Sequence, residues 1–403
     1  MDWSQLDALS QRFGESFYLF HESALVANVQ ELRSAMEQVV PAVALAYSYK
    51  TNHTPAVCRV VRDLGLLAEV SSPMEWWLAG ELEVPGDRIV LDGPAKTAAT
   101  VASALVAGAL VNLESERDVA ATLATVRAHP GTAMRVALRV GIPTSVDPHP
   151  RLGFDPAGSV LDEACSVLRA AGIDPIGVHC HSGDSSLAGL AARARMLVEV
   201  ADRLMPGGPA VLDLGGSLFG RLPLGHDPLS GPAPSFADYA AALEPVLSPA
   251  LERWARPTQV LIEPGTSLVS DAFSLVARVL DMRLVGGRWV AVIAASVLDT
   301  SPNTRRVGFP VRTFSAGGAP RATHAQTVDI GGLTPMWGDY VAFDVPGPLS
   351  PGDFVAIGNV GAYSVTFRPP FIQPAPAIVA IDDGGVSVVR DPQAFEDLFR
   401  GFH

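Results

Sequence analysis

From about Phe17 to Glu263, short apolar runs alternate with amphipathic stretches, and successive apolar runs lie roughly 20 to 40 residues apart. That spacing is the signature of a repeated strand–helix unit. Strands are predicted at Val43 to Tyr49, Leu67 to Val70, Arg88 to Leu91, Ala109 to Leu113, Met134 to Val140, Gly177 to His181, Ala210 to Leu214 and Gln259 to Glu263. Between them, Ser23 to Gln38, Pro55 to Leu64, Ser115 to Ala128, Leu161 to Ala171 and Leu187 to Leu204 carry apolar residues at helical spacing. Eight such strands predict a closed (β/α)8 barrel of the TIM type. The Pro/Gly-rich stretches Gly141 to Asp155 and Gly220 to Ser235 read as long loops at strand ends, where a barrel keeps its active-site elements.

After Gly265 the texture changes. Phe273 to Leu284, Trp289 to Ser296, Ala325 to Ile330, Tyr340 to Phe343, Phe354 to Ile357 and Ala377 to Ile381 are short, β-rich and separated by Gly, Pro and Asp turns. They predict a second, mostly antiparallel β-barrel or sandwich domain. The expected division is a barrel over 17–268 and a β domain over 269–403, with residues 1–16, including a helix from about Trp3 to Phe13, packed on the latter.

A chain of 403 residues with 48% hydrophobic content can bury a large core. Its formal net charge of -13 gives no footprint for nucleic acid or for an anionic membrane surface. The start has an early acid, Asp2, and no apolar stretch of the secretory kind. The longest apolar run, Val101 to Val111, falls short of the ~18 residues a bilayer demands and reads as a helix running into a buried strand. A cytoplasmic location is expected. Three cysteines, Cys58, Cys165 and Cys180, are odd in number and widely spaced, which argues against a disulfide framework and against a structural metal site.

Only two lysines occur, Lys50 and Lys96, and Lys50 closes the apolar run that begins at Val43. Its amine can condense with an aldehyde, and desolvation at a buried strand end is expected to lower its pKa. Taken alone, a solvated strand cap and a coding bias towards Arg explain it equally well. Four more clusters follow at strand ends or beyond: His179-Cys180-His181-Ser182-Gly183-Asp184, Asp213-Leu214-Gly215-Gly216-Ser217, Glu263-Pro264-Gly265, and Gly361-Ala362-Tyr363-Ser364. Each has a bland reading as well. Gly215-Gly216 can be an ordinary turn, Glu263 a helix cap, and His179 with His181 a pair on one strand face with no third metal ligand of obvious spacing. Lys96, Glu114 and Ser115 read as structural, the last as a helix N-cap.

In their order, and with the change of texture after Glu-Pro-Gly, these clusters resemble the fold-type III pyridoxal-phosphate enzymes, in particular the ornithine/diaminopimelate decarboxylase branch, with alanine racemase more distant. The resemblance spans about Phe17 to Phe371. It implies that Lys50 forms a Schiff base with pyridoxal 5'-phosphate, that Glu263 pairs with the ring nitrogen and that His181 stacks on the ring. It further implies a phosphate cradle of Gly215, Gly216, Ser217, Gly265 and Thr266, with Tyr363 reaching a phosphate oxygen. No metal is implied. The implied activity is decarboxylation of a diamino acid or conjugated amino acid to an amine and CO2, in a homodimer with shared active sites.

The chain departs from the family pattern at several points. Thr266 stands where the family has a phosphate-binding Arg, Asp184 where it has Ser, and Ser217 where it has a third Gly. In Gly331-Gly332-Leu333-Thr334-Pro335-Met336-Trp337-Gly338-Asp339, Thr334 takes the place of a proton-returning cysteine. A threonine hydroxyl is a poor acid at neutral pH. Asp339, supplied by the partner subunit, and the planar forks of Arg305 and Arg306 are the expected readers of the substrate's far end. A racemase on the same cofactor and a non-catalytic regulator of the same fold are the alternatives.

Overall fold

The computed structural model describes residues 1–144, 147–221, 233–300, 309–316, 327–382 and 385–402. Eight parallel strands close into a barrel in chain order: β2 (Val43–Ser48), β3 (Leu67–Val70), β4 (Ile89–Leu91), β5 (Leu110–Leu113), β6 (Arg135–Arg139), β7 (Gly177–His179), β8 (Val211–Asp213) and β9 (Gln259–Ile262), with β9 pairing β2. These strands are apolar almost throughout because a parallel barrel strand is covered on both faces. Ala46, Val90, Leu110, Ala137, Val211 and Leu261 meet inside the barrel, and burying a Val or Leu completely contributes about 1.5–3 kcal/mol.

Five crossover helices start on a side-chain cap that satisfies an otherwise orphan amide. Ser72, Thr97, Ser115, Ser186 and Ser235 accept from Glu75, Thr100, Asp118, Gly189 and Asp238. The apolar stretch from Val101 is indeed a helix, Ala98–Val106, running into β5. Lys96 is buried, donating to the Gly93 carbonyl at 2.6 Å and pairing with Asp118 at 3.2 Å. That is a structural role.

The second unit is a mixed sheet. Its strands are β1 (Ser16–His21), β10 (Phe273–Val285), β11 (Arg288–Ile293), β12 (Val311–Phe314), β13 (Thr327–Gly331), β14 (Tyr340–Pro346), β15 (Phe354–Ile357), β16 (Ala377–Asp382) and β17 (Gly385–Arg390). All pairings are antiparallel except β1 with β16 and β11 with β13. The helix Trp3–Phe13 buries Leu6, Leu9 and Phe13 against Phe17, Leu19, Val276 and Phe354 of this sheet. Contacts group Met1–Leu25 and Leu268–His403 in this unit, and Val26–Gly220 with Pro234–Ser267 in the barrel unit. The barrel therefore begins near residue 26 rather than at the expected 17, because β1 pairs with β10 and β16 instead of with a barrel strand. Among the described residues no helix is long and apolar enough to cross a membrane.

Candidate active site

Every barrel strand delivers a polar group at or just past its C-terminal end: Lys50 after β2, Glu69 on β3, Asp92 after β4, Glu114 after β5, Arg139 on β6, His179 on β7, Asp213 on β8 and Glu263 after β9. That is the face on which barrels carry their chemistry. All but Lys50 are buried.

Lys50 is held in place by a carboxylate that sequence reading did not single out. Its Nζ donates to Glu69 Oε2 at 2.5 Å and to Ser71 Oγ at 3.4 Å. Ser71 Oγ donates to the other Glu69 oxygen at 2.6 Å, and Ser48 Oγ also donates to Oε2. The expectation of a depressed amine pKa is corrected here. Burial pulls the ammonium down, but Glu69, with Glu263 and Asp92 behind it, outweighs burial, and the pKa is raised.

Arg139 bridges Asp92, at 3.0 and 3.1 Å, and Glu114, at 3.0 Å. His179 lies between two carboxylates, its Nδ1 3.6 Å from Asp92 and its Nε2 3.5 Å from Glu263. The fold thus brings to His179 the acidic neighbours that spacing along the chain did not reveal, with the ligand atoms of all three residues within 4.8 Å of one another. Burial alone would strip the imidazole of its second proton, yet Asp92, Asp213 and Glu263 raise its pKa to about 9. Burial also pushes Glu263 and Asp213 upward. His179 draws Glu263 back below the usual carboxylate range, whereas Asp213, beside Glu263, stays well above it. Glu263 is thus an ionised, buried carboxylate, and neither of its oxygens has a hydrogen-bond partner.

His181 behaves in the opposite way. Burial, then the charge of Lys50, lowers its pKa to about 3. Its neutral ring is tied by the edge, Nδ1 accepting from the Gly216 amide at 3.0 Å and Nε2 lying 3.4 Å from Ser217 Oγ. The glycines are required by close approach. A Cβ on Gly215 would meet the Cys180 carbonyl oxygen at 2.6 Å, one on Gly216 the Glu263 carbonyl oxygen at 2.4 Å, and one on Gly265 the Thr51 hydroxyl at 2.1 Å. Gly215 and Ser217 both have φ 65°, and for Ser217, where the family has glycine, that conformation is strained.

Of the remaining expected residues, Thr266 opens the short helix Thr266–Val269 in the barrel unit, and the others lie in the β unit or outside the described residues. Tyr363, with φ 60°, is in the left-handed region as Ser217 is. Asp339 is buried, and its carboxylate accepts from the Val297 amide at 2.8 Å, Ser296 Oγ at 3.1 Å, the Thr334 amide at 3.0 Å and Thr334 Oγ1 at 2.5 Å. The Thr334 hydroxyl, given a catalytic place by sequence, spends its proton in that bond. Arg305 and Arg306 lie outside the described residues.

Lys50, the neutral imidazole of His181, the ionised Glu263 paired with His179 and a glycine loop gather on one barrel face, an arrangement suited to a flat, anionic aldehyde cofactor. The residues fit pyridoxal phosphate: Glu263 lacks the N–H donor that a protonated ring nitrogen supplies, and Gly215 and Gly216 keep clear the space that side chains would fill. Comparison with known proteins agrees. Residues 26–270 match the model of the "pyridoxal-dependent decarboxylase, pyridoxal binding domain" family. The chain is 27% identical to diaminopimelate decarboxylase of Pseudomonas aeruginosa, covering 98% of this chain and 94% of that one. It is 24% identical to the enzyme of the same name from Aquifex aeolicus, covering 97% and 92%. In fold it is similar to the crystal structure of M. jannaschii diaminopimelate decarboxylase in complex with L-lysine, with TM-score 0.87, 22% identity, and 98% and 94% of the two chains covered. The chain belongs to the pyridoxal-dependent decarboxylase family, fold-type III enzymes that use pyridoxal phosphate to remove the carboxyl group of an amino acid as CO2.

Proposed function

We propose that the substrate is a diamino acid or a conjugated derivative of one, and that the products are an amine and CO2. The observation that carries this reading is the pairing of Lys50 with Glu69 on the same barrel face as the ionised Glu263, whose oxygens accept no hydrogen bond. The names of the curated relatives support the substrate class. Bound pyridoxal phosphate supplies an aldehyde for an amine and a ring that takes up the electron pair CO2 leaves behind.

The chain's own residues do the rest. Lys50 would hold the cofactor's aldehyde carbon through its Nζ. Glu69, already hydrogen-bonded to that nitrogen, is placed to take and return its proton. Glu263 would pair with the cofactor's ring nitrogen, and the neutral His181 imidazole would be the flat partner of its ring. Ser217, Gly265 and Thr266 would offer the phosphate neutral donors, beside a turn that Gly215 and Gly216 keep free of side chains. Because Thr334 is committed to Asp339, protonation of the product carbon falls to Lys50. A cytoplasmic homodimer belongs to the same reading, drawn from the family resemblance.

The test is a CO2-release assay of the cofactor-loaded protein on free diamino acids and their acylated forms, with chiral analysis of recovered substrate. Turnover is expected on one of these groups, falling about 10²–10⁴-fold in Lys50→Ala. Imine absorbance without CO2 from any member, or racemised substrate instead of amine, overturns the assignment.

A further inference from the structure

Arg193 is buried inside the barrel unit without a counter-charge. It sits in the helix Leu187–Leu204 and is 1% exposed. Its guanidinium donates to two carbonyls, Ser182 O at 3.3 Å and Gly216 O at 2.8 Å, and its Nε has no partner. Among the described residues no carboxylate stands within ion-pair distance of it. Asp184, in the loop that precedes the helix, accepts from the Ser186 amide at 2.9 Å. Burial lowers the guanidinium's pKa, and the opposing pull of Cys180, Glu263, Asp213 and Asp184 does not make up for it. A buried ion costs several kcal/mol unless it is paired, and neutral carbonyls return only part of that.

The placement of this cation gives it a purpose. The two carbonyls belong to the loops after β7 and β8, and the second is Gly216 itself, whose amide donates to His181. A guanidinium behind a glycine loop, in a low-dielectric interior, raises the potential at the loop's open side.

We propose that Arg193 is the fixed positive counter-charge for the cofactor's phosphate, acting from behind the glycine loop and holding the Gly216 peptide in place. This rests on the reading of Gly215–Ser217 as the phosphate cradle. It also accounts for the uncharged Thr266: the charge has moved from the strand-end motif to the neighbouring helix.

The experiment titrates apo-protein with pyridoxal phosphate and, separately, with pyridoxal, which lacks the phosphate, following absorbance and protein fluorescence. Wild type is expected to prefer the phosphorylated form. Arg193→Gln should lose about tenfold or more of that preference while binding pyridoxal within about threefold of wild type, the loss expected when one member of a buried charge pair is removed. Arg193→Lys, which keeps the charge, should retain most of it. Equal weakening of both ligands in Arg193→Gln, or loss of the preference in Arg193→Lys as well, would assign Arg193 to stitching loops together and overturn the inference. A wild type that does not distinguish the ligands overturns the cradle reading and the inference with it. One measurement needs no variant: inorganic phosphate should compete with pyridoxal phosphate for wild-type apo-protein more strongly than with pyridoxal, and equal competition counts against the proposal.

Discussion

Glu69 sets the state in which Lys50 waits. An ammonium held by a carboxylate at 2.5 Å keeps its proton, and only the free amine attacks an aldehyde. The rate at which apo-protein takes up its cofactor should therefore rise with pH as Lys50 deprotonates. Glu69→Gln removes the strongest attraction, so that rise should move to lower pH by about one to three pH units. Stopped-flow absorbance across a pH series measures it, and a profile unchanged by the substitution would mean that Glu69 does not hold the proton. At this scale the sequence was readable where chemistry clusters at a strand end, as at Lys50, His181, Gly215-Gly216 and Glu263. It was not readable for Glu69, Asp92 and Arg139. A charge inside an apolar run, as in Ala68-Glu69-Val70 or Leu138-Arg139-Val140, was visible, but its partner stands on another strand. Arg193 was harder still, since beside Arg195 it looks like one more solvated helix residue.

Individual elements were legible where burial repeats. The eight barrel strands fall within a few residues of the apolar runs that predicted them, because both of their faces are covered. β7 ends at His179 rather than His181, since the chain there leaves the sheet and lets His181 meet the glycine loop. β17 escaped notice because most of its side chains are exposed. The turn from Gly331 to Asp339 shows how motif position can mislead: its acid is a fastener, with two backbone amides and two hydroxyls on one carboxylate. Asp339→Ala leaves those amides unpaired in a buried place and should destabilise the β unit by about 2–4 kcal/mol. Denaturant unfolding of Asp339→Ala against wild type gives the value, and a loss below the error of the method would show the turn to be self-supporting.

The surface of the β unit bears on how whole molecules associate. Trp337 is fully exposed, Phe343 is 62% exposed, and Tyr340 stacks on Phe343 with ring centroids 5.1 Å apart. Three aromatic rings in water are a costly surface for a lone chain and a usual one for an interface. The native mass by light scattering should be twice that of the chain, and Trp337→Glu combined with Phe343→Arg should shift it towards the single-chain value. A wild type of single-chain mass would overturn the homodimer. The sheet of this unit has one more consequence. Its strand Ser16–His21 lies between Phe273–Val285 and Ala377–Asp382, so the earliest-made strand has its parallel neighbour near the opposite terminus. During synthesis that strand cannot be matched on its parallel edge until residues 377–382 have left the ribosome, whereas every barrel strand has been made by residue 262.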